Sequence, residues 1–316
     1  MNILVTGASG FIGSHLCERL LQDENNNVIG LDAYIKSSTP VKARKYNLSR
    51  ILQHPRFTFI KQDLLKINWE NLLPNIDVVY HLAGIPGVRS SWGKDFKTYI
   101  RNNIEATQHL LEGCRQFPVK KFIYASTSSV YGEKTGQVSE SASTEPLSPY
   151  GVSKLTGEQL CKVYAHNDNI PVVILRFFTV YGPRQRPDMA FHRFINHILQ
   201  NKPITIYGDG NQTRDFTYVE DCVTAVAAAA TAEGIIGETI NIGGKERASV
   251  LECISIIEEI FGTKADRQYM GKAYGEPRHT WADISKAQSL LGYEPKIDLR
   301  QGLKAEIMDI CNNPSL

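Results

Sequence analysis

The sequence predicts an α/β protein, a doubly wound parallel sheet carrying a smaller C-terminal domain. Three observations predict it. Short apolar runs alternate with segments of helical period through the first half of the chain. Those runs are apolar at nearly every position, as strands buried on both faces must be. The first run leads into Gly7-Ala8-Ser9-Gly10-Phe11-Ile12-Gly13, a glycine-rich turn that opens a helix.

Residues 3–6, 28–31, 57–60, 78–81, 122–125 and 172–175 read as strands, each a short apolar run. Segments 11–21, 96–114 and 150–164 have apolar residues at a period near 3.6 and read as helices between them. The rhythm loosens after about residue 176. Gly, Pro and Arg cluster in Gly182-Pro183-Arg184-Gln185-Arg186-Pro187, and turn residues recur in Gly208-Asp209-Gly210-Asn211-Gln212. An alanine-rich helix at 219–232 and a strand at 239–242 look core-like and are expected to return to the first domain. The expected division is therefore 1–176 plus about 217–243 for the sheet domain, and 177–216 plus 244–316 for the smaller one. No flexible linker separates the halves, so a ligand is expected between them.

At 316 residues the chain can bury a large core. Its formal net charge of +2 is too small to suggest a nucleic-acid or membrane surface. No apolar run is long enough to span a bilayer. The N-terminal residues enter a strand at once, and no signal peptide is expected. Cys17, Cys114, Cys161, Cys222, Cys253 and Cys311 are scattered with no C-x-x-C. They read as reduced, mostly buried thiols in a cytoplasmic protein, and no metal site is expected. The sequons at Asn47 and Asn211 are chance matches on that reading.

The glycine turn has the spacing Gly-x-x-Gly-x-x-Gly, a variant of the dinucleotide fingerprint. Gly7 permits the tight turn, Gly10 lets backbone approach a pyrophosphate, and Gly13 lets the helix pack closely on the sheet. Phe11 and Ile12 open the helix whose N-terminus faces the phosphates. Asp32 ends the second strand, 19 residues after Gly13, where an acid can hold the adenosine ribose hydroxyls. A carboxylate there repels a 2′-phosphate, which favours NAD over NADP. Asp63-Leu64 ends the third strand and His81-Leu82-Ala83-Gly84 the fourth, at the strand ends where ligands collect.

Tyr150 and Lys154 are four residues apart and share one helix face. An ammonium beside a phenol favours the phenolate, so Lys154 is expected to bring the tyrosine pKa down toward neutrality. The product is a general base for an alcohol or sugar hydroxyl. The spacing is common, and it becomes informative beside a dinucleotide turn.

Together these residues resemble the extended short-chain dehydrogenase/reductase superfamily, with its Rossmann-type fold, nucleotide-sugar epimerases and dehydratases. The likeness runs nearly the whole chain. It includes the glycine turn, His81-Leu82-Ala83, Asn102-Asn103, Ser126-Thr127-Ser128-Ser129-Val130-Tyr131-Gly132, Tyr150-x-x-x-Lys154, Arg176, Tyr181-Gly182-Pro183-Arg184 and Arg214-Asp215-Phe216-x-Tyr218-Val219. It implies a catalytic triad of Thr127, Tyr150 and Lys154, with NAD as cofactor. Dehydratases of the superfamily carry an Asp-Glu pair after the catalytic Thr, and UDP-xylose synthases a Glu where this chain has Ser129. Ser128 and Ser129 cannot do that acid–base work, which leaves oxidation and reduction alone, the chemistry of an epimerase.

Arg186-Pro187-Asp188-Met189-Ala190 looks like a signature of the UDP-glucuronic acid 4-epimerases, and the chain is similar to the bacillus-type members of that group. A guanidinium fork suits a carboxylated sugar. Arg186, Thr179 and Ser128 are thus candidate carboxylate contacts, with Ser129 beside them. Arg214 and Arg278 resemble the family's diphosphate-binding arginines, and Gln212 is a further candidate contact to the nucleotide sugar. The resemblance also implies a homodimer formed through helices near 94–115 and 152–165. UDP-glucose or UDP-N-acetylglucosamine as substrate, a decarboxylating lyase, and a non-catalytic NAD sensor are the competing readings.

Overall fold

The structure is a computed structural model describing residues 1–35, 38–271 and 274–313. The first six strands are β1 (Asn2–Thr6), β2 (Asn27–Asp32), β3 (Phe57–Lys61), β4 (Val78–His81), β5 (Lys121–Thr127) and β6 (Val172–Phe177). Then come β7 (Thr179–Tyr181), β8 (Ile204–Tyr207), β9 (Thr213–Tyr218), β10 (Thr239–Ile242), β11 (Glu246–Ser249) and β12 (Arg267–Met270). The helices are α1 (Phe11–Leu20), α2 (Val41–Leu48), α3 (Phe96–Tyr99), α4 (Ala106–Gln116), α5 (Pro149–Asp168), α6 (Ala190–Leu199), α7 (Val219–Ala228), α8 (Val250–Phe261), α9 (Ser285–Leu291) and α10 (Leu299–Asn312).

Seven strands form one sheet in the order β10-β6-β5-β4-β1-β2-β3, every pair parallel. The chain runs outward from β1 to β3, then restarts at β4 on the other side of β1. That reversal opens a crevice at the carboxyl ends of β1 and β4. Successive side chains of a strand face opposite ways. Ile3 and Val5 therefore pack with Phe11, Leu16, Val223 and Val226 of α1 and α7. Leu4 and Val79 pack with Leu110, Leu111 and Cys161 of α4 and α5 on the other face. Both faces are covered, which is why the strands read as unbroken apolar runs.

β10 pairs with β6 at the edge of this sheet, so the chain returns there after leaving it. A separate core gathers Tyr181, Phe191, Phe194, Ile206, Ile254 and Leu303 from β7, β8, α6, α8 and α10. Two small sheets, β11-β9-β7 and β12-β8, belong to this part.

The single helix expected over 96–114 is broken. α3 gives way to a π-helical segment, Ile100–Glu105, before α4. Such segments concentrate at functional sites. Here the wider turn brings Asn103 onto the neighbouring loop. Its side chain accepts from the Ile85 N–H and donates to the Ile85 carbonyl and the Ser153 hydroxyl. α7 also stops at Ala228, short of the expected 232, and passes into turns. α5 runs longer than expected at both ends. Ser148 caps it through the Gly151 N–H, Pro149 fits its first turn, and Asn169 closes it in the left-handed conformation.

All six cysteines are free thiols; five are buried and Cys311 is exposed. Asn47 is buried and donates to the Ser9 carbonyl, so its sequon is not available for glycosylation. Among the described residues no helix is long and apolar enough to cross a membrane, and no cluster of His, Cys, Asp or Glu could hold a metal ion.

Candidate functional site

A cavity of about 700 Å³ opens at the carboxyl ends of the parallel strands and extends toward the smaller core. The glycine turn forms its floor. Gly7 has φ +72°, and a β-carbon there would sit 2.8 Å from the Ala83 nitrogen. One on Gly13 would sit 2.2 Å from the Gly7 carbonyl oxygen. The turn is thus folded hard against the end of β4, where Leu82 and Ala83 also line the cavity.

Gly10 is the N-cap of α1 and offers no side-chain cap, and Gly10, Phe11, Ile12 and Gly13 line the cavity. The N–H groups of a helix's first turn have no intrahelical acceptor and carry the positive end of its dipole. An uncapped N-terminus on a cavity floor fits a pyrophosphate.

Asp32 lies beside it and accepts from the Ser9 and Tyr34 N–H groups. The Arg44 guanidinium stands 3.5 Å away and also lines the cavity, so the expected acid shares its place with a cation. Asp63 and Leu64 line the cavity further along; Asp63 caps the turn after β3 and pairs with Arg101 at 2.7 Å.

Behind the turn a buried relay fixes β4 to the neighbouring helix. The Thr107 hydroxyl donates to the Asn103 carbonyl, so it must accept from His81 Nε2–H. His81 Nδ1 then accepts from the Thr6 hydroxyl, whose oxygen takes the Ala83 N–H. Burial holds His81 neutral, its pKa pushed down to about 3.

Thr127, Tyr150 and Lys154 all line the same cavity. Thr127 ends β5, and its Oγ1 accepts from the Ser129 N–H at 3.2 Å. Tyr150 meets Tyr99 edge to face, ring centres 6.2 Å apart. Its pKa runs against expectation. Burial raises it above the ordinary phenol value, and the charges and donors that pull it down are Arg186 and Thr127. Lys154 is not among them. The lysine is buried too, its Nζ 4.2 Å from the centre of the Tyr124 ring, and burial lowers its pKa to about 8. Sequence spacing put the two side chains on one face; it could not report that both are desolvated.

Ser128, Ser129, Thr179, Arg186, Gln212 and Arg214 line the remaining part of the cavity. Arg186 is held by Asp188 in a two-pronged pair, Nε–Oδ1 3.1 Å and Nη2–Oδ2 3.0 Å. Gln212 donates to the Tyr207 carbonyl. Arg214 pairs with Glu276 at 3.1 Å. Arg278 is the exception among the expected contacts. It is absent from the cavity lining, half exposed, and turned onto Asp209 at 2.7 Å.

Sequence reasoning gave no role to two arginines. Arg89 lines the cavity, stacks on the Tyr207 ring at 4.0 Å and pairs with Glu276 at 2.7 Å. Arg184 has a left-handed backbone, φ +65°, and a buried side chain that donates to both oxygens of Glu18 on α1 and to the Asn47 carbonyl. It ties the loop carrying Arg186 to the helix of the glycine turn. A non-glycine residue in that conformation costs about 1 kcal/mol or more, which these bonds offset. In the sequence it stood in the Gly-Pro-Arg cluster and in the Tyr181-Gly182-Pro183-Arg184 stretch of the resemblance, with no role attached.

The fold and this cavity define a dinucleotide-dependent enzyme of the tyrosine–lysine type, with a cationic chamber beside the reacting groups. The chain matches the NAD dependent epimerase/dehydratase family over residues 3–243. It is 59% identical over 307 residues, 97% of each chain, to a Bacillus subtilis protein described as an uncharacterized UDP-glucose epimerase. A UDP-glucuronate 4-epimerase of Thermodesulfobacterium geofontis is 39% identical over 96% of this chain and 94% of its own. The crystal structure of UDP-glucuronic acid 4-epimerase from Bacillus cereus, in complex with UDP-glucuronic acid and NAD, superposes with a TM-score of 0.97 at 56% identity, covering 99% of both chains. The chain belongs to the NAD-dependent epimerase/dehydratase family, and its cofactor is NAD.

Proposed function

We propose that this enzyme interconverts UDP-glucuronate and UDP-galacturonate by oxidation and re-reduction at C4. The observation that carries this reading is the presence of Arg186 in one cavity with Tyr150, close enough for its charge to act on the phenol. Relatives described as UDP-glucuronate 4-epimerases support it.

NAD, when bound, accepts the C4 hydride and returns it. Tyr150 takes the proton of the 4-hydroxyl and later gives it back. Lys154 sits one turn on and favours the ionised phenol once the site is filled. Thr127 orients the hydroxyl and then the 4-keto oxygen. Gly7, Gly10, Phe11, Ile12 and Gly13 hold the pyrophosphate, Asp32 the adenosine ribose, and Asp63, Leu64, Leu82 and Ala83 the adenine side and the strand ends.

The keto sugar must turn its other face to the cofactor before hydride returns. Arg214, with Gln212, anchors the nucleotide diphosphate during that turn; Arg278, turned onto Asp209, would have to leave that acid to join them. A 4-keto uronate is a β-keto acid and loses CO2 when its C5–carboxylate bond lines up with the carbonyl π system. Arg186, Thr179, Ser128 and Ser129 hold the carboxylate out of that alignment.

The glycine turn and β10 side with one domain (1–176 and about 217–243), the arginines largely with the other, so the substrate lies between the two. The exposed apolar residues Ile100, Val152 and Val163 on the π segment and α5 support a homodimer through that face. Six free thiols support a cytoplasmic setting.

UDP-glucose is the second reading, favoured by the description of the Bacillus subtilis relative. Incubation with UDP-glucuronate, followed by NMR of the products, tests the proposal. UDP-galacturonate is expected. UDP-xylose or a 4-keto-pentose would make it a lyase, and turnover of UDP-glucose alone would move the substrate to the second reading.

A further inference from the structure

Three arginines of the substrate chamber, and Arg278 beside it, meet carboxylates of the chain itself. Arg186 holds Asp188, Arg278 holds Asp209, and Arg214 shares Glu276 with Arg89. Glu276 stands apart from the other two because it takes two guanidiniums at once. Its Oε1 accepts from Arg89 Nε at 2.7 Å and its Oε2 from Arg214 Nη2 at 3.1 Å.

The three residues come from three places in the fold. Arg89 follows β4 in the sheet domain, Arg214 lies on β9, and Glu276 lies on the segment leading to Arg278. All three line the cavity. One carboxylate thus closes a strap across the chamber between elements that are otherwise far apart in the chain.

A diphosphate needs the same N–H donors. Two anionic groups on one pair of guanidiniums repel each other, and the donors of each fork are finite. A ligand phosphate therefore competes with the Glu276 carboxylate for the Arg89 Nε–H and the Arg214 Nη2–H. Glu276 is about one-quarter exposed, so it can turn to water when displaced. Arg214 is the less exposed arginine, at 16% of its side chain, and stays put through its bonds to the Thr213 and Arg278 carbonyls.

We propose that Glu276 is an internal competitor for the diphosphate of a nucleoside-diphosphate ligand, leaving Arg89 and Arg214 as the ligand enters and reclaiming them as it departs. This rests on the reading of Arg214 as a diphosphate residue. It adds Glu276 as the group that sets how tightly the nucleotide is held and how fast it leaves. An enzyme that must keep its keto intermediate yet release its product gains from such a group. The ligand pays the displacement on entry, and the returning carboxylate speeds exit.

UDP alone is the probe, because it carries the diphosphate without the sugar. Calorimetric titration of UDP into the NAD-loaded protein is compared for wild type, Glu276→Gln and Glu276→Ala. Both variants should bind UDP about three- to ten-fold tighter, with slower dissociation in stopped-flow displacement. Arg89→Ala should cost more UDP affinity in the Glu276→Gln background than in the wild type, because the wild-type arginine must first give up its carboxylate.

If Glu276 only positions the arginines, the sign reverses: both variants bind UDP more weakly, and the proposal falls. Unchanged affinity in both overturns it as well. Absence of saturable UDP binding by wild type and variants alike would overturn the nucleotide reading itself, and this inference with it.

Discussion

Replacing Arg176 with methionine should destabilise the protein by about 3–5 kcal/mol, the usual consequence of leaving one partner of a buried ion pair alone. Arg176 on β6 and Glu158 on α5 have side chains 4% and 0% exposed. The pair is two-pronged, Nε–Oε1 2.9 Å and Nη2–Oε2 2.7 Å. Ser126 on β5 donates to the same carboxylate. The guanidinium also lies 4.7 Å over the Tyr131 ring, and the Tyr131 hydroxyl donates to Asn241 on β10.

At an effective dielectric constant near 20, a pair about 4 Å between charge centres is worth roughly 4 kcal/mol. Methionine keeps much of the stem volume, so the loss is mainly that of the charge and its bonds. Unfolding entropy of roughly 2.1 cal/mol/K per residue over 316 residues converts the loss to a melting-point drop of about 5–8 °C. The assay is urea denaturation with thermal melting of the cofactor-stripped protein. Arg176→Met/Glu158→Leu, which removes the stranded acid, should recover most of the stability. A single variant losing less than about 1 kcal/mol, or a double variant no better than the single, would refute the reasoning. Glu158 follows Lys154 by one helical turn, so the single variant should also loosen the helix that carries Tyr150.

Two further outcomes are expected. Gly13→Ala should lose NAD, because its β-carbon would lie 2.2 Å from the Gly7 oxygen and the turn would have to open; retained cofactor in the purified protein, read by absorbance after denaturation, checks this. Lys154→Met should stabilise the cofactor-stripped protein near neutral pH. Burial lowers the lysine pKa from 10.5 to about 8, so the unfolded chain binds that proton more tightly than the folded one. The cost, at most roughly 3 kcal/mol, is complete below pH 8 and fades as pH rises to 10.5. The stability gain of Lys154→Met in urea should follow the same course, and a gain that grew with pH would contradict it.

The parallel sheet was legible because burial on both faces forces unbroken apolar strands, and β1 to β6 lie where those runs fall. The glycine turn was legible because only glycine fits at Gly7 and Gly13. Thr127, Tyr150 and Lys154 do line one cavity. What escaped the sequence depends on contacts between distant segments. Arg89 and Glu276 are 187 residues apart, and no local pattern links them. The π-helical turn at Ile100–Glu105 adds one residue to a turn without disturbing the apolar period enough to be seen. Arg278 carries a motif yet points to Asp209, because an exposed arginine takes the nearest acid. The Tyr150 pKa was misjudged because spacing reports proximity to Lys154 and says nothing of burial.

That last error changes how substrate choice and base strength are connected. Tyr150 is raised by burial, and Arg186 is the first of the groups that bring it down. The residue proposed to read the sugar carboxylate therefore also supports the phenolate. Asp188 already draws on that charge through its two-pronged pair. A bound uronate draws on it further, whereas a neutral sugar leaves it to the tyrosine. Arg186→Ala should then show two effects at once. UDP-glucuronate should lose about 10- to 100-fold in kcat/KM through the missing charged hydrogen bonds, and UDP-glucose much less. With Arg186 gone the Tyr150 pKa rises, so the acid limb of the kcat/KM profile, which needs the ionised phenol, should move to higher pH. Equal losses on both sugars would show that Arg186 does not read the carboxylate. An unmoved acid limb would show that its charge does not reach the base. The two readouts are independent, so the arginine can fail in one role and keep the other.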